Sequence, residues 1–477
     1  MTLSAPRSIT ATLALFTLCA GAFVLARPSS RLRARSLLFA VPGANAVPVD
    51  RAGPLRAGPS QSSDRSRGAS VEPAATAPLP QRWSARAPTD RAVFAIEDQC
   101  DPASSEAGAP CDRSLLAPFF ARLSELERGQ RRIARVAHVG DSIVADDKIT
   151  ARFRQRLQRE FGDGGWGWLF AQRPTRWYHP RGVRYEGAAL ALTSVVEQRS
   201  TDERYGPGAA AFDARSSDAM ATVTIPAAMR VRAYALAERP ASVRADNGAW
   251  VSLVDGAASI ELGTGAHTIN LRGDSAGSRL FGLSVESGAA GAIVDNLGLV
   301  GSSARSLAHQ DFAHWEQSLR ALSLDLALIT LGTNDSSHGP IWPAQRPQLE
   351  EDHARLYGLL KRVAGACLVM LPPDTAEERG GPLATRVALS AIIEAQRSAA
   401  RRAGCAVWDT FRWMGGRNSI VRWRSWGLAD GDYTHLTDAG AARIADALAD
   451  ALLEARDRFH HAPPRDSAAQ DAGARDR

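Results

Sequence analysis

Ser142 lies in V-A-H-V-G-D-S-I-V-A-D-D-K-I-T, where an apolar run stops at Gly140 and a helical pattern follows. A serine there either caps the helix or attacks a carbonyl. Attack requires a base, and D-G-D-Y-T-H-L-T-D-A-G offers His435 with Asp432 three residues before it. A carboxylate at that spacing can hold the imidazole in the tautomer that accepts a serine proton. Asp430 is the neighbouring alternative for this role. The tetrahedral intermediate of acyl transfer carries an oxyanion, which needs two or three fixed donors. The N–H of Ser142, the N–H of Gly301 at the end of N-L-G-L-V-G and the side-chain amide of Asn334 in G-T-N-D can supply them. Asp335 reads as a turn cap or loop orienter. His338, in the following Ser-Gly-rich loop, reads as a loop polar group or a substrate contact.

These residues need elements to position them. Ile133–Val139 reads as a strand, and Ile149, Phe153, Leu157 and Phe161 recur every four residues, which predicts a helix over Ala145–Phe161. Helical spacing also marks Leu115–Arg131. After Ala292 the texture alternates: strands at 292–297, 324–331, 366–371 and 406–410, with helices at 304–322, 348–364, 383–403 and 437–459. Alternation of this kind implies a parallel sheet with helices on both faces. Sites in such sheets lie at the carboxyl ends of strands, and Ser142, Gly301 and Asn334 each follow a predicted strand, with His435 in the loop before the final helix. Between 188 and 290 helix signals vanish. Short runs such as A-T-V-T-I-P and H-T-I-N-L-R predict an inserted antiparallel sandwich or jelly roll.

The four blocks, in this order, resemble the SGNH hydrolases, also called the GDSL superfamily. That family is named for a Ser in G-D-S, a Gly, an Asn in G-x-N-D and a His in D-x-x-H. Here they correspond to Ser142, Gly301, Asn334 and His435, and the resemblance covers 133–178 and 291–455. It implies a flavodoxin-like three-layer α/β fold and a serine ester hydrolase with no cofactor or metal. A β-rich insertion after the first block, and F-G-D-G-G-W-G at 161–167, resemble the envelope peptidoglycan O-acetylesterases. That group often has His after G-D-S and the wider family Leu; here the residue is Ile143.

Composition bounds the remaining classes. The chain has 477 residues, 45% hydrophobic and 23% charged, as ordinary globular proteins do. Residues 1–92 hold twelve Arg and four acids, a net of +8, and the whole chain carries +6, so residues 93–477 sum to about −2. The basic charge thus sits in a tail, and no basic stripe with interleaved aromatics points to nucleic acid. Ile9–Ala26 reads as a signal peptide or membrane anchor, and 27–92 and 461–477 as disordered Pro/Ala/Arg-rich linker and polar tail. Together they imply export to the periplasm or cell envelope. Cys100 and Cys111 form a local pair that an oxidising compartment would bridge. Cys367 and Cys405, each in an apolar run, fit either two buried thiols or a bridge. No Cys/His spacing suggests zinc.

F-G-D-G-G-W-G follows a helix and lacks a closing Lys-Ser/Thr, so it reads as a turn, not a phosphate loop. Trp166, Trp168, Trp177, Tyr178, Trp413, Trp423 and Trp426 flank the blocks. Exposed rings would stack on sugars and buried ones would be core. The composite expectation is an exported esterase that removes O-acetyl groups from a cell-envelope polysaccharide such as peptidoglycan. Its rivals are an O-acetyltransferase using the same acyl-enzyme, a lipid or general esterase, and a non-catalytic glycan-binding envelope protein.

Overall fold

The computed structural model describes residues 95–98, 114–187 and 189–460. Ile9–Ala26, the linker 27–92, Cys100, Cys111 and the tail 461–477 lie outside the described residues, as does the side chain of His338. Among the described residues, no helix is long and apolar enough to cross a membrane.

Five parallel strands form the central sheet, in the spatial order Gly291–Gly298, Ile133–Gly140, Leu326–Thr330, Cys367–Met370, Ala406–Trp408. Side chains alternate between the two faces, as strand geometry requires. Val136, Leu328, Leu368 and Trp408 face one core, with the helices Ala117–Glu127, Lys148–Phe161 and Asp438–His460. Ala137, Ile329, Val369 and Val407 face the other, with Arg346–Ala364 and Leu389–Ala403. Both faces are covered, so the strands read as continuous apolar runs.

Register puts the candidate residues on one edge. Gly140 pairs with Gly298 on one side and with Thr330 on the other. The three strands therefore end level, and the loops that follow carry Ser142, Gly301 and Asn334. Cys367 and Cys405 form a disulfide, with Cα atoms 4.9 Å apart, at the opposite end of their adjacent strands.

The β-rich segment forms two antiparallel sheets, one of five strands and one of six. They begin earlier in the chain than 188: Gly167–Phe170 pairs with Arg279–Glu286, and Arg184–Glu186 pairs with Met220–Ile225. Their core is continuous with one face of the parallel sheet. A buried Arg135–Asp295 ion pair at 2.7 Å, with Ser284 Oγ accepting from Arg135 at 2.7 Å, ties the central strands to the insertion. The family resemblance and the alternating pattern thus describe the fold: an SGNH-type parallel α/β sheet with an inserted β domain.

Three helices differ from the sequence pattern, and in one of them, 383–403, the first residues form the short strand Ala384–Thr385 and the helix spans Leu389–Ala403. The helix predicted over 145–161 begins at Lys148, and a separate turn, Ser142–Ala145, precedes it. The chain breaks at Asp147, which adopts φ 60°. Its buried carboxylate accepts from Arg154 at 3.2 Å and from Asn296 Nδ2 at 3.0 Å. Similarly, 304–322 divides into Ala304–Ala308 and Phe312–Arg320, because Asp311 caps the second piece by accepting from His314 N–H. Period alone does not register such one-residue reversals.

Candidate active site

Ser142 is the first residue of the one-turn helix Ser142–Ala145, and the cap is Asp141, whose Oδ1 accepts from Ile143 N–H at 3.0 Å. The serine hydroxyl is thereby left for other work. Close packing holds this turn on the sheet. A Cβ on Gly140 would lie 2.3 Å from Val144 Cγ2 and 2.5 Å from the Thr330 carbonyl, so only glycine lets the turn settle between the strand ends. Asn296 adds a buried tether, donating from Nδ2 to the Val144 carbonyl at 2.9 Å.

His435 Nε2 lies 2.9 Å from Ser142 Oγ, and its Nδ1 lies 2.6 Å from Asp432 Oδ2. The other Asp432 oxygen accepts from the backbone N–H of Thr434 and of His435, each at 3.0 Å. Partial burial pushes the Asp432 carboxyl up, but the hydrogen bonds from His435 and the two backbone N–H groups outweigh this, and the net shift is downward. An ionised carboxylate against Nδ1 leaves Nε2 as the acceptor facing the serine. Asp430, the alternative acid, faces Lys148 at 4.0 Å instead.

Gly301 has φ +84° and Asn334 donates from Nδ2 to the Ser302 carbonyl at 2.8 Å. The glycine turn and the amide are thus tied together. Ser142, Gly301, Asn334, Asp432 and His435 all line one cavity of about 810 Å³. The structure brings the five predicted triad and oxyanion residues to this cavity. Asp335 begins a short 3₁₀ turn directly after Asn334.

Behind the site sits a set of buried polar groups. Asp141 is fully buried, and desolvation pushes its carboxyl up to about 7, reinforced by Asp335 and opposed by the Ile143 N–H, His435 and Thr333. His138, on the strand that leads to Gly140, is buried between Thr150 Oγ1 at 2.8 Å and Thr330 Oγ1 at 2.9 Å. Burial and the Arg154 charge hold His138 neutral, down to about 3.

The flanking aromatic residues divide, with Trp166 and Trp413 partly buried against the cores. Trp168, Tyr178 and Trp423 are core, packed against neighbouring rings. Trp177 is 55% exposed and lines the cavity, beside His179 and Arg181. Trp426 is exposed but is not part of the cavity wall. A second cavity of about 770 Å³ shares Gly301 and Asn334 with the first and continues to Val195, Val196 and Arg199 of the insertion.

Two cations were invisible as site residues in the sequence. Lys148 Nζ donates to the Leu436 carbonyl at 2.7 Å, pinning the residue next to His435. Its rarity, as one of two lysines in the chain, was the available signal. Arg386 contacts both the Asn334 and His435 loops, and nothing local distinguishes it from the other arginines. Among the described residues no cluster of three or more His, Cys, Asp or Glu could hold a metal ion.

Residues 258–443 match the model of the GDSL-like lipase/acylhydrolase family. The match contains Gly301, Asn334, Asp432, His435 and the last inserted strands, while Ser142 lies upstream of it, separated by the earlier ones. No protein with a curated description matches the chain. A solved structure described as a peptidoglycan O-acetylesterase is 24% identical, with a TM-score of 0.61, over 71% of this chain and 96% of that one. A family two carbohydrate esterase from Cellvibrio japonicus is 10% identical, with a TM-score of 0.24, over 58% of this chain and 99% of that one. An acetyl xylan esterase is 17% identical, with a TM-score of 0.26, over 34% and 80%.

Proposed function

This chain carries a GDSL-like hydrolase domain of the SGNH superfamily, and from that premise we propose that it is an exported serine esterase. In this reading it removes O-acetyl groups from a cell-envelope polysaccharide such as peptidoglycan. The observation that carries the chemistry is His435 bridging Ser142 Oγ at 2.9 Å and Asp432 at 2.6 Å beside Gly301 and Asn334.

Ser142 Oγ attacks the ester carbonyl while His435 Nε2 takes its proton. Asp432 stabilises the imidazolium that forms. The oxyanion is held by the N–H groups of Ser142 and Gly301 and by the Asn334 amide. Collapse breaks the bond to the sugar oxygen, which leaves with the proton from His435. A water then gives a proton to His435 and attacks the acyl-enzyme, and collapse releases acetate as His435 returns that proton to Ser142 Oγ. A base that is 36% exposed leaves room for that water.

Three features support a glycan over a lipid. Trp177 lines the cavity with a ring that is 55% exposed, stacked by Arg176 at 4.7 Å, and an aromatic at a cavity wall suits a sugar ring. Two cavities share Gly301 and Asn334 as lining residues, so there is space on either side of the oxyanion donors, which suits an ester within a polymer. The fold is also that of a protein described as a peptidoglycan O-acetylesterase. Ile9–Ala26 supports export, as cleaved signal or retained anchor, with the linker 27–92 giving reach.

The test is acetate release from O-acetylated peptidoglycan by the purified protein and by Ser142→Ala, with and without an acceptor sugar. The reading expects acetate from the wild type and none above background from the variant. Equal release by both would refute it. Transfer to the acceptor in preference to water would convert the reading to an acetyltransferase.

A further inference from the structure

Arg386 lies between the short strand Ala384–Thr385 and the helix Leu389–Ala403. Its Nη1 donates to the Thr333 carbonyl and to Ser336 Oγ, both at 3.2 Å. Its Nη2 donates to Thr434 Oγ1 at 3.0 Å. Thr333 and Ser336 flank Asn334, and Thr434 sits between Asp432 and His435. One planar guanidinium therefore spans the loop that carries the oxyanion amide and the loop that carries the base. The first loop leaves the strand Leu326–Thr330 and the second follows the helix Ser419–Ser425, so their relative placement depends on side-chain ties of this kind.

The arginine is itself fixed. Its N–H donates to the Thr375 carbonyl at 2.9 Å. The adjoining Thr385 donates from Oγ1 to buried Asp374 at 2.9 Å and from its N–H to Asn418 at 2.9 Å. The Arg386 side chain is 14% exposed. Burial disfavours its charge, which Glu377 and Asp432 support and Arg379 opposes. A planar fork with several donors can hold two loops at a set angle, which a lysine point charge cannot reproduce.

We propose that Arg386 is a positioning residue for ester hydrolysis: it sets the Asn334 donor and the His435–Asp432 pair at one mutual distance. It touches no reacting atom. Its effect belongs in the transition state, where both loops must act on the same carbonyl, more than in substrate binding. The inference rests on the hydrolase reading of the site and not on the glycan.

The experiment uses the full chain and p-nitrophenyl acetate, with active sites counted by an organophosphonate that labels Ser142. Arg386→Gln is expected to lower kcat per labelled site by about 10–100-fold, with KM changed less than about threefold, the scale of a sub-ångström to ångström misplacement. Arg386→Lys should recover part of the loss. Thr434→Val removes one of the three bonds and should lose about 3–10-fold, less than additively with Arg386→Gln, because both break the same tie. Should Arg386→Gln fail to fold, Arg386→Lys, Thr434→Val and Ser336→Ala carry the same comparison. Unchanged kcat per labelled site, a loss confined to KM, or strictly additive losses would overturn the proposal. No turnover by the wild type would overturn the hydrolase reading on which it stands.

Discussion

Replacing Asp432 with Asn tests the most specific geometric feature of the site. The substitution keeps the size of the side chain and can keep the two 3.0 Å hydrogen bonds from the Thr434 and His435 N–H groups. The amide nitrogen would then face His435 Nδ1, where the carboxylate now sits at 2.6 Å. An N–H there makes Nδ1 the acceptor and leaves the proton on Nε2, the atom that must take the proton of Ser142. Where such an acid is fully buried, this change costs on the order of 10⁴ in kcat. Here the Asp432 side chain is 51% exposed, so water competes for His435 and screens the lost charge. Losing a charge-assisted bond costs about 1.5–3 kcal/mol, and stabilising the wrong tautomer adds about 1 kcal/mol. The sum, about 2.5–4 kcal/mol, corresponds to about 10²–10³ in kcat at 1.36 kcal/mol per decade. Initial rates on p-nitrophenyl acetate, with Asp430→Asn as the comparison, measure it directly. Asp430 faces Lys148 and not the imidazole, so its variant should keep at least a third of the wild-type rate. A small effect at Asp432 with a large one at Asp430 would refute the assignment.

Asn334→Ala removes one oxyanion donor and should lower kcat by about 10²–10³ with KM little changed, read on the same ester. Asp141→Asn tests the cost of a buried acid. The folded value of about 7 lies above the ordinary 3.8, so the unfolded chain binds fewer protons between these values and wild-type stability falls as pH rises through that window. The variant keeps the capping oxygen, and its unfolding free energy, read from urea titrations, should rise relative to wild type by roughly 2–4 kcal/mol between pH 4 and pH 8; a pH-independent difference would contradict this. Replacing Cys367 and Cys405 by Ser opens a loop of sequence separation 38 and should cost about 3–4 kcal/mol on the chain-entropy model. Since that bridge lies at the strand ends away from Ser142, kcat at 25 °C should stay within about twofold.

The fold class and the members of the site were legible because both rest on short-range patterns. Apolar runs of strand length alternated with helical periods, and a chemically complete set of Ser, Gly, Asn, Asp and His stood just beyond them. A parallel sheet forces such residues to its carboxyl edge, and the level ends of the strands at Gly140, Gly298 and Thr330 do so here. Helix continuity was less legible: the break at Asp147 depends on Arg154 and Asn296, groups brought there by packing.

What the sequence determined by itself was therefore the inventory and its order along the sheet, since residue type and local period suffice for both. Only the tertiary structure decided that Asp141 and not Ser142 is the cap. It also separated Trp177 at the cavity from Trp168, Tyr178 and Trp423 in the core, joined Cys367 to Cys405, and laid Arg386 across two loops about 50 residues away on either side. Each of these depends on register and on which faces pack together. Contacts of that range carry no signature in any short window, because the partner is chosen by the fold and not by its neighbours in the chain.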